Sequence, residues 1–452
     1  MLPRTYHILT FGCQMNVTDS QWLARALEQR GFAAVPLEEA RVAIVNTCSV
    51  REKPELKVYS ALGRIRLATR NVPGAFSVVA GCVAQQLGSA FFDKFPQVRL
   101  VVGGDALPNA PAAIERLCEE TELRLNLTDF SESYRERDFA LTETSVMPPV
   151  SYVNIMQGCD NFCAYCIVPY TRGRQKSRSQ EAILEECRAI LQHGAREITL
   201  LGQNVNSYGL DHGNVALPGQ SPFAALLRDV SALPGLQRLR FVTPHPKDLP
   251  DEVISLFGTL PNLCPRLHLP LQSGSDSVLS RMGRKYDRKT YLGLVEKLRA
   301  ACPDIALSTD LIVGFPGETE KDFEDTLDIV SKAGFMSGFS FCYSDRPGTA
   351  SAMLANKLPD DIKLQRLERL QTQIETQAAA WLESRVGKRT DVLLESASRK
   401  EAENGDTESW QGKDPWGDTV NIPLPRGTGK AGLILPVRIV TAKRHSLIAE
   451  TA

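Results

Sequence analysis

The 452-residue chain lacks an excess of charge of either sign: 52 Lys and Arg stand against 53 Asp and Glu, a formal net charge of −1. No global field draws it to nucleic acid, so contact with RNA has to come from local basic patches. It also lacks any apolar run approaching the roughly 18 residues of a membrane span. Its start, Met-Leu-Pro-Arg-Thr-Tyr-His, has no basic region followed by a long apolar stretch, so no secretory signal is expected. Solenoid-type repeats and low-complexity tracts are missing too. What remains, 43% hydrophobic and 23% charged residues, is the composition of an ordinary globular protein. The length allows about two to four domains.

Eleven cysteines without a secretory signal read as metal ligands or buried thiols of a reducing cytoplasm, not as disulfides. Cys159, Cys163 and Cys166 lie in the run Gly-Cys-Asp-Asn-Phe-Cys-Ala-Tyr-Cys, a C-x3-C-x2-C spacing with no fourth ligand. A four-iron cube closed by four Cys carries electrons and little else. One held by three leaves an iron open, and open coordination sites are where chemistry happens. Zinc usually closes with four ligands at pair-and-pair spacing, and no His or Cys lies close enough downstream to supply the fourth. The spacing resembles the cluster loop of the radical S-adenosylmethionine (SAM) enzymes, in which the open iron chelates the amino and carboxylate groups of SAM.

Residues 1–125 alternate β-rich runs (Tyr6–Phe11, Val42–Asn46, Phe76–Ala80, Leu100–Val102) with helical ones (Ser20–Arg30, Lys53–Leu67). That alternation argues an α/β unit with a parallel sheet. Residues 126–148 are polar and Pro-terminated and read as a linker. From 149 to 383 a longer alternation follows. Strands are expected at Ser151–Met156, Ile198–Leu201, Leu239–Thr243, Leu267–Leu271, Ala306–Val313 and Gly338–Tyr343. Helices separate them, including one capped by Ser179 and others at Pro222–Leu233, Pro250–Leu256, Arg288–Ala301 and Glu320–Ala333. Six βα repeats fit a partial barrel, with its site at the C-terminal ends of the strands. Asp361–Arg385 reads as a long helix. Residues 384–452 then turn to short strands (Thr390–Glu395, Thr419–Ile422, Leu433–Ile439, Ser446–Glu450) and predict a small all-β barrel.

Cys13, Cys48 and Cys82 each follow an apolar strand. Ends of successive parallel strands lie on one sheet edge, so the three can converge, and Gly12 and Gly81 permit tight turns there. Three buried small hydrophobes is the other reading. Cys118, Cys187, Cys264, Cys302 and Cys342 have no ligand-like neighbours and read as structural.

With these residues in view, the whole chain resembles the methylthiotransferase family. That family joins an N-terminal cluster-binding domain, a partial (βα)6 radical SAM barrel and a C-terminal all-β TRAM barrel. The runs Gly12-Cys13-Gln14-Met15-Asn16 and Asn46-Thr47-Cys48-Ser49-Val50-Arg51-Glu52-Lys53 are similar to its branch that modifies dimethylallyl-adenosine in tRNA. So are Pro169-Tyr170-Thr171-Arg172-Gly173 and Leu201-Gly202-Gln203-Asn204-Val205-Asn206-Ser207-Tyr208. The threonylcarbamoyl-adenosine branch usually reads Gly-Cys-Lys-Val-Asn at the first Cys, and the ribosomal-protein aspartate branch Gly-Cys-Pro-Lys-Asn; this chain has neither. Pro54 stands where Ala is more usual, which a helix's first turn tolerates.

The resemblance implies two [4Fe–4S] clusters, one on Cys159, Cys163 and Cys166 and a second, sulfur-holding one on Cys13, Cys48 and Cys82. It implies SAM as cofactor, cleaved to a 5′-deoxyadenosyl radical, with a second SAM supplying the methyl group. The product would be 2-methylthio-N6-dimethylallyladenosine at position 37 of tRNA. The implied partners are an anticodon stem-loop carrying dimethylallyladenosine and a reductant such as flavodoxin or ferredoxin. A cytoplasmic monomer that meets no membrane is expected. By analogy Gln203, Ser273 and Gly314, at the ends of the second, fourth and fifth barrel strands, are candidates for holding SAM, though each position equally suits a plain strand-end turn.

Three basic stretches stand out: Arg172, Arg174, Lys176 and Arg178; Arg281, Arg284, Lys285, Arg288 and Lys289; and Arg438, Lys443 and Arg444. Charge runs are usually solvated faces. The first adjoins the cluster loop, which makes Arg172 and Arg174 candidates for tRNA phosphate contact. Phe130, Tyr134, Tyr165 and Tyr170 are candidates for stacking on splayed bases, or for plain packing.

Overall fold

Val42–Thr47 and Phe76–Gly81 are buried along their whole lengths, as strands covered on both faces must be. They are the centre of a six-stranded parallel sheet in this computed structural model, which describes residues 2–49, 54–137, 141, 145–212, 220–398 and 406–452. Its strands are β1 (Thr5–Thr10), β2 (Ala33–Ala34), β3 (Val42–Thr47), β4 (Phe76–Gly81), β5 (Val98–Val102) and β6 (Leu125–Leu127), in the order β2-β1-β3-β4-β5-β6. Alternation divides each strand between two cores. Val42, Ile44, Val78 and Leu100 pack under Trp22, Leu27 and Ile114. Ala43, Val45, Val79 and Val101 pack under Val58, Leu62, Ile65 and Phe91.

Two boundaries differ from the sequence reading. The first helix runs Gln14–Glu28 and starts directly after Cys13, not at Ser20. Its first turns carry buried polar Asn16 and Asp19 in place of apolar residues, so the hydrophobic period begins late. Strand β6 carries the sheet two residues into the stretch read as a linker. The start of the next helix, read at Lys53, and the motif residues Val50 to Glu52 lie outside the described residues; from Pro54 the helix runs to Ala68.

The second unit is an open arc of six parallel strands. Along the chain it comprises β7 (Val150–Asn154), a two-residue antiparallel pair β8 (Met156–Gln157) and β9 (Lys176–Ser177), then β10 (Glu197–Leu201), β11 (Arg238–Phe241), β12 (Arg266–His268), β13 (Ala306–Val313) and β14 (Ser337–Cys342). Three strands pair as β11-β10-β7 and three as β12-β13-β14. The halves meet where Leu239 bridges to Leu263. Ile198, Leu200, Leu239, Leu267, Leu307 and Leu311 are fully buried or nearly so against Phe223, Val253, Tyr291 and Phe323 of the flanking helices. The alternate residues, among them Glu197, Arg238, Arg240, Ser308 and Asp310, face the concave side. Ser179 caps its helix as expected, accepting from Ala182 N.

A 24-residue helix, Asp360–Glu383, leads to a closed barrel of β15 (Arg389–Ala397), β16 (Thr407–Lys413), β17 (Thr419–Pro425), β18 (Ile434–Lys443) and β19 (Ser446–Thr451), ordered β15-β16-β17-β19-β18. The sequence reading lacked β16. Its run Thr-Glu-Ser-Trp-Gln-Gly-Lys has almost no apolar alternation, and Gly412 stands where a Cβ would lie 2.1 Å from Leu393 O.

The turn between β16 and β17 plugs the arc at the N-terminal ends of its strands. Arg238 donates to Lys413 O and Asp391 O, Arg240 to Pro415 O and Asp414 O, and Arg266 to Trp416 O and Gly417 O. Arg385 pairs with Asp414 at 3.1 Å and stacks 3.7 Å over Trp416. The opposite, C-terminal mouth stays free for chemistry.

Asp418 in this plug accepts from Trp381 Nε1 at 2.8 Å. Burial and the neighbouring Asp414 push its carboxyl up to about 6. The native protein therefore holds this proton more tightly than the unfolded chain, and the stability it contributes is lost as pH rises from about 4 to about 6. We expect Asp418→Asn, which keeps the acceptor and removes the charge, to match wild type in melting temperature near pH 4 and exceed it at pH 7. Equal melting temperatures at pH 7 would rule this out.

Candidate active site

Three strand ends place the first cysteine set. Cys13 caps the helix after β1, Cys48 follows β3, and Cys82 opens the helix after β4. The register sets Thr10 beside Asn46 and Thr47 beside Gly81, so the three sulfurs meet on one sheet edge. Both glycines are required there. A Cβ on Gly12 would lie 2.4 Å from Cys48 Cβ, and one on Gly81 2.3 Å from Thr47 O; their φ angles are +129° and +91°. Asn16, fully buried, ties the turns together by donating to Asn46 Oδ1 (3.0 Å) and Thr47 O (3.1 Å).

The sulfurs hydrogen-bond among themselves. Cys48 keeps its proton, pushed up by its bonds to Cys13 and Cys82. Its hydrogen bond holds Cys13 down at about 6 and Cys82 well below the usual thiol value; burial opposes both shifts and the Arg172 guanidinium reinforces them.

The second set sits on the loop after β8. Gly158 has φ +79°, and a Cβ there would lie 2.0 Å from Arg174 O. Ala164 N bonds Met282 O at 2.8 Å and Ser351 N bonds Ala164 O at 2.8 Å, anchoring the loop. Burial pushes Cys159 up to about 11 and, with Cys163 nearby, Cys166 to about 12. A metal taken there would have to displace these protons. Cys163 Sγ lies 3.8 Å from His245 Nε2 and accepts from Arg284 Nη1 at 3.5 Å.

Among the described residues, no three His, Cys, Asp or Glu are placed to hold a single ion. A mononuclear site needs every donor within about 2.3 Å of one point, whereas a cube takes its thiolates at separate irons. All-thiolate donor sets in glycine-relieved turns fit such a cube.

Gln203, at the end of β10, links the sets. Its Oε1 accepts from Gly158 N at 2.6 Å, one residue before Cys159, and its Nε2 reaches Met15 Sδ, two residues after Cys13. The structure therefore brings Gln203 and both cysteine sets to one seam.

Other candidates are placed differently. Ser273 is fully buried, with its hydroxyl 3.4 Å from that of Thr326 on an outer helix and accepting from Ser275 N. Its hydroxyl is thus taken up by the helix side of the strand end. Gly314 has φ +72° and packs where a Cβ would meet Lys363 Cγ at 2.4 Å; close packing accounts for this glycine.

Arg172 is 3% exposed. It donates through Nε to Cys82 Sγ (3.3 Å) and through both Nη to Asp19 Oδ2 (3.2 Å). A phosphate cannot reach it, so the expectation of tRNA contact there is overturned. Lys176 pairs with Asp105 at 2.6 Å and Arg178 with Glu136 and Glu186, all three ion pairs involving a buried cation. Only Arg174 of this run is exposed, bonded to Asp160 at 2.7 Å and lying over Phe162. In the later runs Arg284 is buried at Cys163, Arg288 pairs with Asp328, Arg438 with Glu450 and Arg444 with Glu375. Of the aromatic candidates, Phe130 and Tyr170 are exposed, Tyr165 meets Arg284, and Tyr134 lies under Arg178.

Sequence reasoning missed Asp19, Arg137, His245 and the pair His268–Asp310. Asp19 takes Arg137 at 2.6 Å as well as Arg172. His268 Nε2 lies 3.2 Å from Asp310 on the concave side, with Phe339, 59% exposed, packed edge-on against its ring. None carries a motif; only strand alternation hinted at inward-facing His268 and Asp310.

Comparison with known proteins agrees with this layout. A family model described as the radical SAM superfamily matches residues 153–330, and one described as an uncharacterized protein family, UPF0004, matches residues 5–103. The tRNA-2-methylthio-N(6)-dimethylallyladenosine synthase of Nitratidesulfovibrio vulgaris is 62% identical over 453 residues, covering 100% of this chain and 99% of its own. The proteins of that name from Lawsonia intracellularis and Syntrophotalea carbinolica are 58% and 40% identical, over 100% and 99% of this chain and 99% of each relative. Among solved structures, the radical SAM methyltransferase TsrM from Kitasatospora setae, with cobalamin and a [4Fe-4S] cluster bound, superposes with a TM-score of 0.58 at 15% identity. It covers 78% of this chain and 77% of that one, a likeness of fold.

The Asp19 contacts predict a large stability effect. Asp19→Ala leaves buried Arg172, and Arg137 beside it, without their carboxylate, a loss of about 3–5 kcal/mol for a broken buried pair. Glu375→Ala removes the exposed partner of Arg444 and should cost at most about 1 kcal/mol. Denaturant unfolding of the two variants should differ accordingly; equal small losses would refute the seam's importance.

Proposed function

The chain belongs to the family of tRNA-2-methylthio-N(6)-dimethylallyladenosine synthases, and on that premise we propose how its residues divide the reaction. It is a radical SAM enzyme acting on tRNA. The observation that carries the finer reading is Gln203, bonded at once to the loop of one cysteine triad and to the helix that follows a cysteine of the other.

The target is an unactivated aromatic C–H bond at C2 of an adenine, which no Asp, His or Lys is basic enough to open. Bound SAM and two [4Fe–4S] clusters supply what the side chains lack: a reducing electron, a radical, the sulfur to be inserted and the methyl group. The chain's residues do the holding. Cys159, Cys163 and Cys166 would hold the cluster that takes SAM. Cys13, Cys48 and Cys82 would hold the second. Gln203 would help hold the methionine end of SAM, and Asn204 and Asn161, both donating to Asp248, keep the neighbouring turns in place.

The base enters splayed from a single-stranded anticodon loop. The open concave side, with His268, Asp310 and exposed Phe339, receives it, and Arg174 meets a phosphate at the rim. An electron donor such as flavodoxin or ferredoxin acts on a cytoplasmic monomer. Among the described residues no helix is long and apolar enough to cross a membrane.

Iron and sulfide content tests the two-cluster reading. Anaerobically reconstituted protein should hold about eight irons, falling to about four in the Cys159→Ala/Cys163→Ala/Cys166→Ala variant, as two cubes require; four falling to none would refute it. Cys13→Ala should lose thiolation of prenylated tRNA and still form 5′-deoxyadenosine, and retained thiolation would remove Cys13 from the second site. For Arg174→Glu we expect weaker tRNA binding and a salt dependence shallower by about one unit of log–log slope; an unchanged slope excludes a phosphate contact.

A further inference from the structure

We propose that Arg172 is a positioning residue for the group held by Cys13, Cys48 and Cys82, supplied to that site by the neighbouring unit and fixing its charge balance. This rests on the reading that the three sulfurs hold a four-iron cluster.

The geometry separates this role from simple docking. Both Nη atoms of Arg172 share a single oxygen of Asp19, at 3.2 Å, which leaves Nε free to donate to Cys82 Sγ at 3.3 Å. The other oxygen of Asp19 takes Arg137 at 2.6 Å. One buried carboxylate thus faces two guanidiniums, Arg172 buried and Arg137 mostly so, and one positive charge is left for the sulfurs. Gly104 keeps the wall open where the guanidinium lies, since a Cβ there would sit 2.8 Å from Arg172 Nη1. Arg172 is also fixed through its backbone. Its N bonds Val168 O at 2.8 Å, and its carbonyl accepts from Gln157 Nε2, which also donates to Asp105. Lysine has neither the fork nor a donor part-way along its stem.

A hydrogen bond and a positive charge at a ligating sulfur stabilise the reduced, more negative form of a cluster, and low dielectric magnifies the effect. Docking of the two units therefore does more than bring the sites together; it sets the potential of the first. The test uses the full chain carrying Cys159→Ala, Cys163→Ala and Cys166→Ala, which leaves only the first site loaded, with iron content and potentiometric titration as readouts.

With Arg172→Met added, we expect the four irons to be retained and the oxidised-to-reduced ratio at fixed potential to rise at least tenfold, about 59 mV for a one-electron couple. Arg172→Lys should shift it less. Iron lost in Met but kept in Lys would also support the proposal. An unmoved potential with full iron, or iron lost in both variants, would make Arg172 a docking residue only. No iron in the triple variant with Arg172 intact would instead overturn the two-cluster reading, and the proposal with it.

Discussion

Asp19 lies 1% exposed in the helix that follows Cys13, and neither of its arginines comes from the sheet it packs on. Arg137 reaches it from the connecting stretch and Arg172 from beyond the second cysteine loop. Removing Asp19 leaves two guanidiniums without their carboxylate in a low-dielectric seam, where an unpaired ion costs several kcal/mol. Lys176–Asp105 repeats the arrangement beside it. Two members of a basic run that looks solvated in the sequence, Arg172 and Lys176, are spent on locking one unit to the other. The placement of the two cysteine sets relative to each other depends on that lock.

The two sets share donors and differ in surroundings. At Cys13 and Cys82 a neighbouring thiol and a buried guanidinium favour thiolate. At Cys159 and Cys166 burial favours the thiol. The first set is thus held toward thiolate by its neighbours, and the second toward thiol by burial.

The far end of the arc is closed by another device. Arg238, Arg240 and Arg266 stand at or near the N-terminal ends of their strands and give most of their donors to backbone carbonyls of the small barrel, chiefly at one turn. Carbonyls demand no particular side chains, so the turn reads as unremarkable sequence. With that mouth plugged, the C-terminal mouth is where the concave residues His268, Asp310 and Phe339 remain open.

Sequence alone determined the parallel sheet, the six-strand arc, the strand-end positions of all six cysteines and the family. Those rest on local period, on glycines that only tight turns need, and on spacing along the chain. It missed β16, whose residues lack alternation because Gly412 makes room for a neighbouring backbone. It also could not tell Arg172 from Arg174. The two lie two residues apart with the same chemistry, yet one is buried on a cysteine and the other is exposed. Burial is a property of the surface a residue meets, and here that surface belongs to Asp19 and Gly104, more than 60 residues away in the chain. Only the tertiary structure decides which charges meet across such distances, and so which are buried at the cysteines and which face solvent.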